Sequence, residues 1–272
     1  MILVSQILLD KASSLDSGSN QTWKRFSEWR WHNRQEKLVL RPSAWFTLIL
    51  CLILSPSSEA VAEGDISPET KKVLLQMDRT NQSLSDLTAD VTETKVTIVV
   101  NDTSVSTGKL FYKREKNGSR TKLEYEKPEL KTLLIDKSKV LIYEPKIKHL
   151  QEIDLGKDRS QEAFLITGIG QSGTAIAKNY DAKLLNEESL DGVKTSVLEL
   201  KPKSEKVSAM FVKIVLWVDQ SHWVPIQTRL TESSGDYLTI RFDNMQLNPK
   251  LPDKTFKLNI PADVEKSSYR GH

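Results

Sequence analysis

KLFYKREKNGSRTKLEYEKPELKTLLIDKSKVLIYEP, residues 109–145, decides the fold. Four runs of alternating or continuous apolar residues are separated by Asn117-Gly118, Lys127-Pro128 and Asp136-Lys137-Ser138. These are turn formers, because they tolerate left-handed backbone or fix φ, so the stretch reads as an antiparallel meander. None of the runs is long or regular enough for a helix.

Working outward, the same grammar continues on both sides. Upstream, residues 89–100 (ADVTETKVTIVV) alternate with period two but change parity. Ala89 and Val91 share one face, then Val96, Ile98 and Val100 the other, which predicts a bulge or bend within one long strand. Before it, Ser67-Pro68-Glu69 is a helix start, with a capping hydroxyl, proline at the first helical position and an acid in the first turn. Val73, Leu74, Met77 and Leu84 recur at helical spacing, so residues 68–85 are expected to form an amphipathic helix. Within the meander the runs fall near 104–115, 119–126, 130–136 and 139–144, with another at 147–153. Residues 158–167 predict a short helix carrying Phe164 and Leu165, and 168–178 a glycine-rich turn with a further helical turn. Strands resume near 180–188, 193–201, 211–219, 223–232 and 236–246.

About eleven strands joined by short turns, without βαβ alternation, predict a mainly-β fold: one antiparallel sheet rolled into a half-open barrel with a helical lid. Both parities are apolar in several strands, as in Leu133-Leu134-Ile135, so both faces of the sheet need cover.

The front of the chain has a different character. Four of the six tryptophans and the single cysteine, Cys51, fall within the first sixty residues. Basic residues lead into the eleven-residue apolar run AWFTLILCLIL (44–54), followed by Pro56 and Ala60-Val61-Ala62. That run is short for a membrane span and matches a secretory signal core with an A-x-A cleavage site, so residues 41–62 are expected to be a cleaved signal peptide. The competing reading is an anchor helix. Lipid attachment at Cys51 is disfavoured by bulky Leu50 before it. Residues 1–40 are an extended n-region or lie ahead of the true start, and residues 63–272 are expected to be one domain. Removing 1–62 takes 7 of 39 basic and 5 of 36 acidic groups and leaves 32 against 31. The remainder is therefore close to neutral, which argues against a nucleic-acid partner, and it has no cysteine for a disulfide or zinc-thiolate site.

Chemical motifs are few. Gly168-Ile169-Gly170-Gln171-Ser172-Gly173 fits GxGxxG but lacks the parallel βαβ context of a dinucleotide site, so it reads as a loop. No HxxxH, HxH or carboxylate cluster accompanies His149 and His222, and no nucleophile elbow is present, so no enzyme and no cofactor is expected. Lys109, Lys113, Arg114, Lys116, Arg120 and Lys122 form the densest basic group, whose default reading is a solvated face. Arg114 shares parity with Leu110 and Tyr112, which carries its guanidinium to the rim of an apolar face, within reach of a helix carbonyl or a lipid head group.

Residues 68–265 resemble the LolA-type periplasmic lipoprotein carriers. The resemblance runs in order through the first helix, Thr107-Gly108-Lys109-Leu110, Lys113-Arg114, Leu123-Glu124-Tyr125-Glu126-Lys127-Pro128, residues 134–145, Phe164-Leu165-Ile166-Thr167-Gly168, residues 198–203 and Phe256-Lys257-Leu258-Asn259-Ile260-Pro261. It departs from the family at Thr121-Lys122-Leu123, where an aromatic-rich stretch is usual. The resemblance implies a cavity for lipoprotein acyl chains. It also implies release from an inner-membrane ABC transporter, delivery to an outer-membrane acceptor, a periplasmic location and a monomer. Arg114 then becomes the lid latch. The cavity wall would comprise Leu110, Tyr112, Leu123, Tyr125, Leu133, Ile135, Val140, Ile142, Ile214, Leu216, Ile226 and Ile240, and the lid Leu74, Met77, Leu84, Phe164 and Leu165. A non-transporting envelope-stress or lipoprotein-sensing module is the alternative, although the few residues after Asn248 leave no room for the second domain such a module usually carries.

Overall fold

A computed structural model describes residues 66–116, 118–154 and 169–270. The signal peptide, the N-terminal extension, the expected helix at 158–167 and with it Phe164 and Leu165 lie outside the described residues.

Helix α1 (Pro68–Ser83) starts where the cap signature places it, with Ser67 Oγ accepting from Thr70 N at 3.2 Å. It leads into β1 (Asp86–Thr97), β2 (Asp102–Glu115), β3 (Gly118–Lys127), β4 (Lys131–Asp136), β5 (Lys139–Glu144) and β6 (His149–Asp154). Helix α2 (Gly173–Asn179) precedes β7 (Tyr180–Leu190) and β8 (Val193–Pro202); the short α3 (Glu205–Ser208) precedes β9 (Lys213–Asp219), β10 (Pro225–Thr231) and β11 (Tyr237–Leu247). A 3₁₀ turn (Asp253–Phe256) and β12 (Glu265–Arg270) complete the order.

All twelve strands form one open sheet in the order β12-β6-β5-β4-β3-β2-β1-β11-β10-β9-β8-β7. The eleven expected strands are present, and β12 is an addition to the expected count. It pairs parallel with β6, the one departure from antiparallel order among the described strands. Short hairpins fix the register elsewhere. Asp191 (φ 51°) and Gly192 (φ 85°) both adopt left-handed backbone between β7 and β8, as a two-residue turn matching strand twist requires.

Curvature follows from the core. Strands β1 through β11 each contribute buried side chains to a single cluster with α1 and α2, from Ile153 on β6 across to Ala182 on β7. Eleven strands laid flat would span roughly 50 Å. Helices of 16 and 7 residues are only about 24 and 10 Å long. One shared core is therefore possible only if the sheet curls around the helices, which defines a concave inner face and a convex outer one.

Two expectations change in detail. The parity slip expected between Val91 and Val96 is instead a register shift between Thr88 and Asp90, opposite β11. The alternation then holds through Glu93, and Ile98, Val99 and Val100 form the turn to β2 rather than the end of the strand.

Candidate functional site

The inner face of the sheet carries the larger of the two buried apolar clusters, and strand register builds it. Residues directly opposite on neighbouring strands share a face. Leu110 pairs with Leu123, Leu123 with Leu133, and Leu133 with Ile142, giving one aliphatic row across β2 to β5. Ile135 and Val140 pair in the next row. Tyr112 and Tyr125 join the same face, as do Ile214 and Leu216 from β9 and Ile240 from β11, all of them buried in the common cluster.

Ile226 does not join them. Pro225 pairs with Val218 and Gln227 with Trp217, so Ile226 is the extra residue of a bulge and turns outward. It packs with Val197, Val215 and Trp217 in a separate outer-face cluster.

Helix α1 roofs the inner face. Val73, Leu74 and Met77 are buried against the strands, with Leu84 just past the helix end. Polar side-chain bonds fasten it at several points: Leu184 N donates to Thr70 Oγ1 (2.9 Å), Thr80 Oγ1 to the His222 carbonyl (2.8 Å), and Thr174 Oγ1 to Asp78 Oδ2 (2.8 Å). Arg114 Nη2 donates to Asn81 Oδ1, so the guanidinium reaches α1 through a side-chain amide rather than the anticipated carbonyl.

Helix α2 lies against α1 because Gly173 has no side chain. A Cβ there would lie 2.0 Å from the Leu74 carbonyl oxygen. Gly170 (φ 92°) faces the Tyr112 ring in the same way, its Cβ position 3.0 Å from Cε2. Gly170 and Gly173 are thus close-packing positions, against Tyr112 of β2 and against α1. A cleft of about 20 Å³ remains beside α1, lined by Met77, Asn81, Leu84, Ile169 and Trp223 among others. It has room for about one water.

One end of the inner face is polar. Glu93 is 5% exposed and accepts from Tyr125 Oη at 2.7 Å. Tyr125 pairs across to Lys131, whose buried ammonium lies 3.1 Å from Glu144 Oε1, and Glu144 pairs with His149. A file of titratable groups therefore crosses β1, β3, β4, β5 and β6 on the inner face. Burial raises the Glu93 pKa; the Tyr125 hydrogen bond opposes that shift without cancelling it. Burial, and then the neighbouring carboxylate, push the Tyr125 hydroxyl well above its ordinary range, so it remains the donor.

Glu93 was not among the residues singled out in the sequence. The available signal was its parity with Leu87, Ala89 and Val91. The basic group also divides. Lys113 Nζ donates to the Leu251 carbonyl and to Asp253, Arg120 pairs with Asp253 at 2.8 Å and stacks 4.9 Å from the Phe256 ring, and buried Lys122 donates to the Thr255 carbonyl. These three hold the segment after β11 as a strap over the outer face, where a solvated face was expected.

Among the described residues, no group of three or more His, Cys, Asp or Glu is placed to hold a metal ion, and no helix is long and apolar enough to cross a membrane.

Comparison with known proteins gives the following. A family model described as an uncharacterized protein matches residues 131–240. No curated protein matches the chain. Among solved structures, MucB is similar at 14% identity and a TM-score of 0.48, over 71% of this chain and 64% of that one, so the chain spans under two thirds of the MucB length. An uncharacterized conserved protein from Thermus thermophilus is similar at 12% identity and a TM-score of 0.49, over 74% and 99% of the two chains. A LolA superfamily protein from Nitrosomonas europaea is similar at 16% identity and a TM-score of 0.37, over 70% and 97%.

Proposed function

We propose that this protein is a periplasmic carrier that sequesters the acyl chains of a lipoprotein against the inner face of the sheet. It would take them from an inner-membrane ABC transporter and deliver them to an outer-membrane acceptor. The observation that supports the reading is one apolar cluster spread over eleven strands beneath a separate helix, which lays Val73, Leu74 and Met77 on that cluster and is tied at its edges through Thr80, Asn81 and Asp78. Cargo would enter by displacing α1 from the wall, with Arg114–Asn81 as the latch that resists this.

The energetics suit the role. Each buried methylene contributes about 0.8 kcal/mol, so a chain of roughly fifteen methylenes carries on the order of 10 kcal/mol of aversion to water. Unassisted passage through an aqueous compartment is then very slow. Every bond that fastens the lid weakens net cargo binding by the free energy of lifting it, which leaves affinity loose enough for hand-over.

Mass spectrometry of material that co-purifies with residues 63–272 from envelope extracts tests this reading. Acylated peptide or lipoprotein is the expected cargo. Recovery of a protein partner with no acyl-bearing molecule would contradict it and favour the sensing module.

A further inference from the structure

One cross-strand row of the inner face changes character part-way along. Register places Leu184, Leu198, Leu216, Thr228, Ile240 and Glu93 side by side across β7, β8, β9, β10, β11 and β1. Paired positions across a sheet stand on one face. Leu198, Leu216 and Ile240 belong to the common cluster and Leu184 packs against it. Thr228 and Glu93 have the parity of Leu230 and Val91, the core residues beside them on their own strands. The row is therefore hydrocarbon over β7 to β9 and partly polar over β10 to β1.

Thr228 is the unusual member. It is 1% exposed, and its Oγ1 is enclosed with no hydrogen-bond partner. A buried hydroxyl without a partner gives up its bonds to water and gains none in return, and valine would fill nearly the same space without that loss. Folding alone thus gives no reason for a hydroxyl between Leu216 and Ile240. Glu93, two strands away, is 5% exposed and accepts from Tyr125 Oη through Oε2 at 2.7 Å. A carboxylate has lone pairs for more than one donor, so Oε1 can accept a second. A hydroxyl donor and a carboxyl acceptor therefore flank Ile240 in a row that is otherwise aliphatic.

We infer that Thr228 and Glu93 form a polar subsite for the linkage of an amide-linked acyl chain. The Thr228 hydroxyl donates to the linkage carbonyl, Glu93 accepts its N–H, and the hydrocarbon runs over Leu216 and Leu198 toward Leu184. The inference rests on the carrier reading and names the chemistry that the carrier selects. Adjacent strands lie about 4.8 Å apart, so the two side chains stand roughly 10 Å apart. Hydrogen bonds of about 2.9 Å at either end leave roughly 4 Å, and less where a concave face brings the tips together, which suits one amide group with its oxygen and N–H on opposite sides. An ester lacks the N–H, and a thioether offers only a weak acceptor and no donor. The same polarity orients the cargo, because it puts the hydrocarbon at the start of α1, where Leu184 N donates to Thr70 Oγ1.

The test titrates the full chain at neutral pH with three ligands and reads displacement of bis-ANS. Each ligand is a short glycyl peptide bearing a palmitoyl chain through an amide, a palmitoyl chain through an ester, or a hexadecyl chain through a thioether. The expected order of affinity is amide, ester, thioether, with about fivefold at each step, as one hydrogen bond is lost each time. Thr228→Val is expected to weaken the amide and ester ligands about fivefold, to leave the thioether ligand unchanged, and to raise the melting temperature of the ligand-free protein, since it removes a hydroxyl that has no partner. A hydroxyl that only supports the fold would do the reverse: its removal would lower the melting temperature and leave the ligand order intact, which would overturn the inference. An ester bound as tightly as the amide would overturn the assignment to an amide. Saturable binding of all three ligands with equal affinity would overturn the subsite and leave the carrier reading standing. Failure of all three to displace bis-ANS would overturn the carrier reading and the inference with it.

Discussion

The two faces of the sheet are built from the same strands and closed by different physics. The inner face is aliphatic along the rows through Leu133 and Ile135 and polar at one end, and its roof is held by buried Val73, Leu74 and Met77 together with side-chain bonds such as Thr80 to the His222 carbonyl, Thr174 to Asp78 and Arg114 to Asn81. The outer face is divided. Over β2 and β3 the strap is gripped by charges, with Asp253 between Lys113 and Arg120 and Lys122 on the Thr255 carbonyl. Over β8 to β10 a small cluster around Trp217 closes on itself, with Arg229 over the Trp217 and Tyr237 rings at 5.6 and 4.8 Å. The difference is that the strap on the outer face is gripped by charged side chains, whereas the inner face is covered by a helix that buries its own apolar stripe, and under the proposed function it is that helix that lifts.

The comparison can be broken most strongly at its centre. Leu133→Ala removes the middle of the inner aliphatic row and is expected to cost about 2–5 kcal/mol. Val215→Ala in the outer cluster is expected to cost about 1–2 kcal/mol. Urea unfolding of both variants checks the contrast, and equal losses would deny that the inner face is the main core. Next, Gly173→Val drives a side chain into the Leu74 carbonyl and is expected to cost about 1–3 kcal/mol. Because it separates α2 from α1, it should also increase binding of bis-ANS, which an outer-face substitution should not do.

Arg114→Leu sharpens the comparison further. Loss of its bond to Asn81 is expected to cost about 1–2 kcal/mol while leaving circular dichroism unchanged and altering cargo retention. A double-mutant cycle with Asn81→Ala should return a coupling near that loss, and a coupling of zero would remove the latch.

Titration separates the faces more gently. The Glu93 pKa is raised above its ordinary 4.5, so the folded state holds a proton that the unfolded chain releases. That contribution is complete below the ordinary value and is lost as pH rises through the raised one. Glu93→Gln should flatten the decline in melting temperature across that window. On the outer face, hydrogen bonds from Lys113 and then Arg120 hold the Asp253 pKa below its ordinary 3.8. Its contribution is present above that value and disappears as pH falls through the lowered one. Asp253→Asn should therefore loosen only the strap, seen as faster hydrogen exchange at the backbone amides of 251–257 with the β4–β5 amides unchanged.

Much of this architecture was legible in the residues. Ser67-Pro68-Glu69 specified the start of α1, Asp191-Gly192 specified a hairpin, and the loop reading of the glycine motif agrees with the close approaches at Gly170 and Gly173. What stayed hidden depends on contacts distant in sequence. Ile98-Val99-Val100 has strand propensity, and only the pairing of Thr97 with Asp102 makes it a turn. Ile226 has the parity of Thr228 and Leu230, but a bulge reverses it. Glu93 is buried among residues brought from β3 and β4, and β12 lacks apolar alternation because its pairing comes from an edge of β6. At the candidate site alternation left both parities of β4 apolar, and only cross-strand pairing shows which residues of β2 to β5 share the inner face; the contact of Arg114 with Asn81 likewise had no signal in the sequence.

The most direct test of the central claim is titration of residues 63–272 with a fluorescent acylated peptide, followed for wild type, Leu133→Asn and Val215→Asn. The account predicts saturable one-to-one binding that long-chain lipid competes away, that Leu133→Asn weakens strongly and that Val215→Asn leaves intact. Absence of saturable binding, or equal sensitivity to the two substitutions, would contradict it.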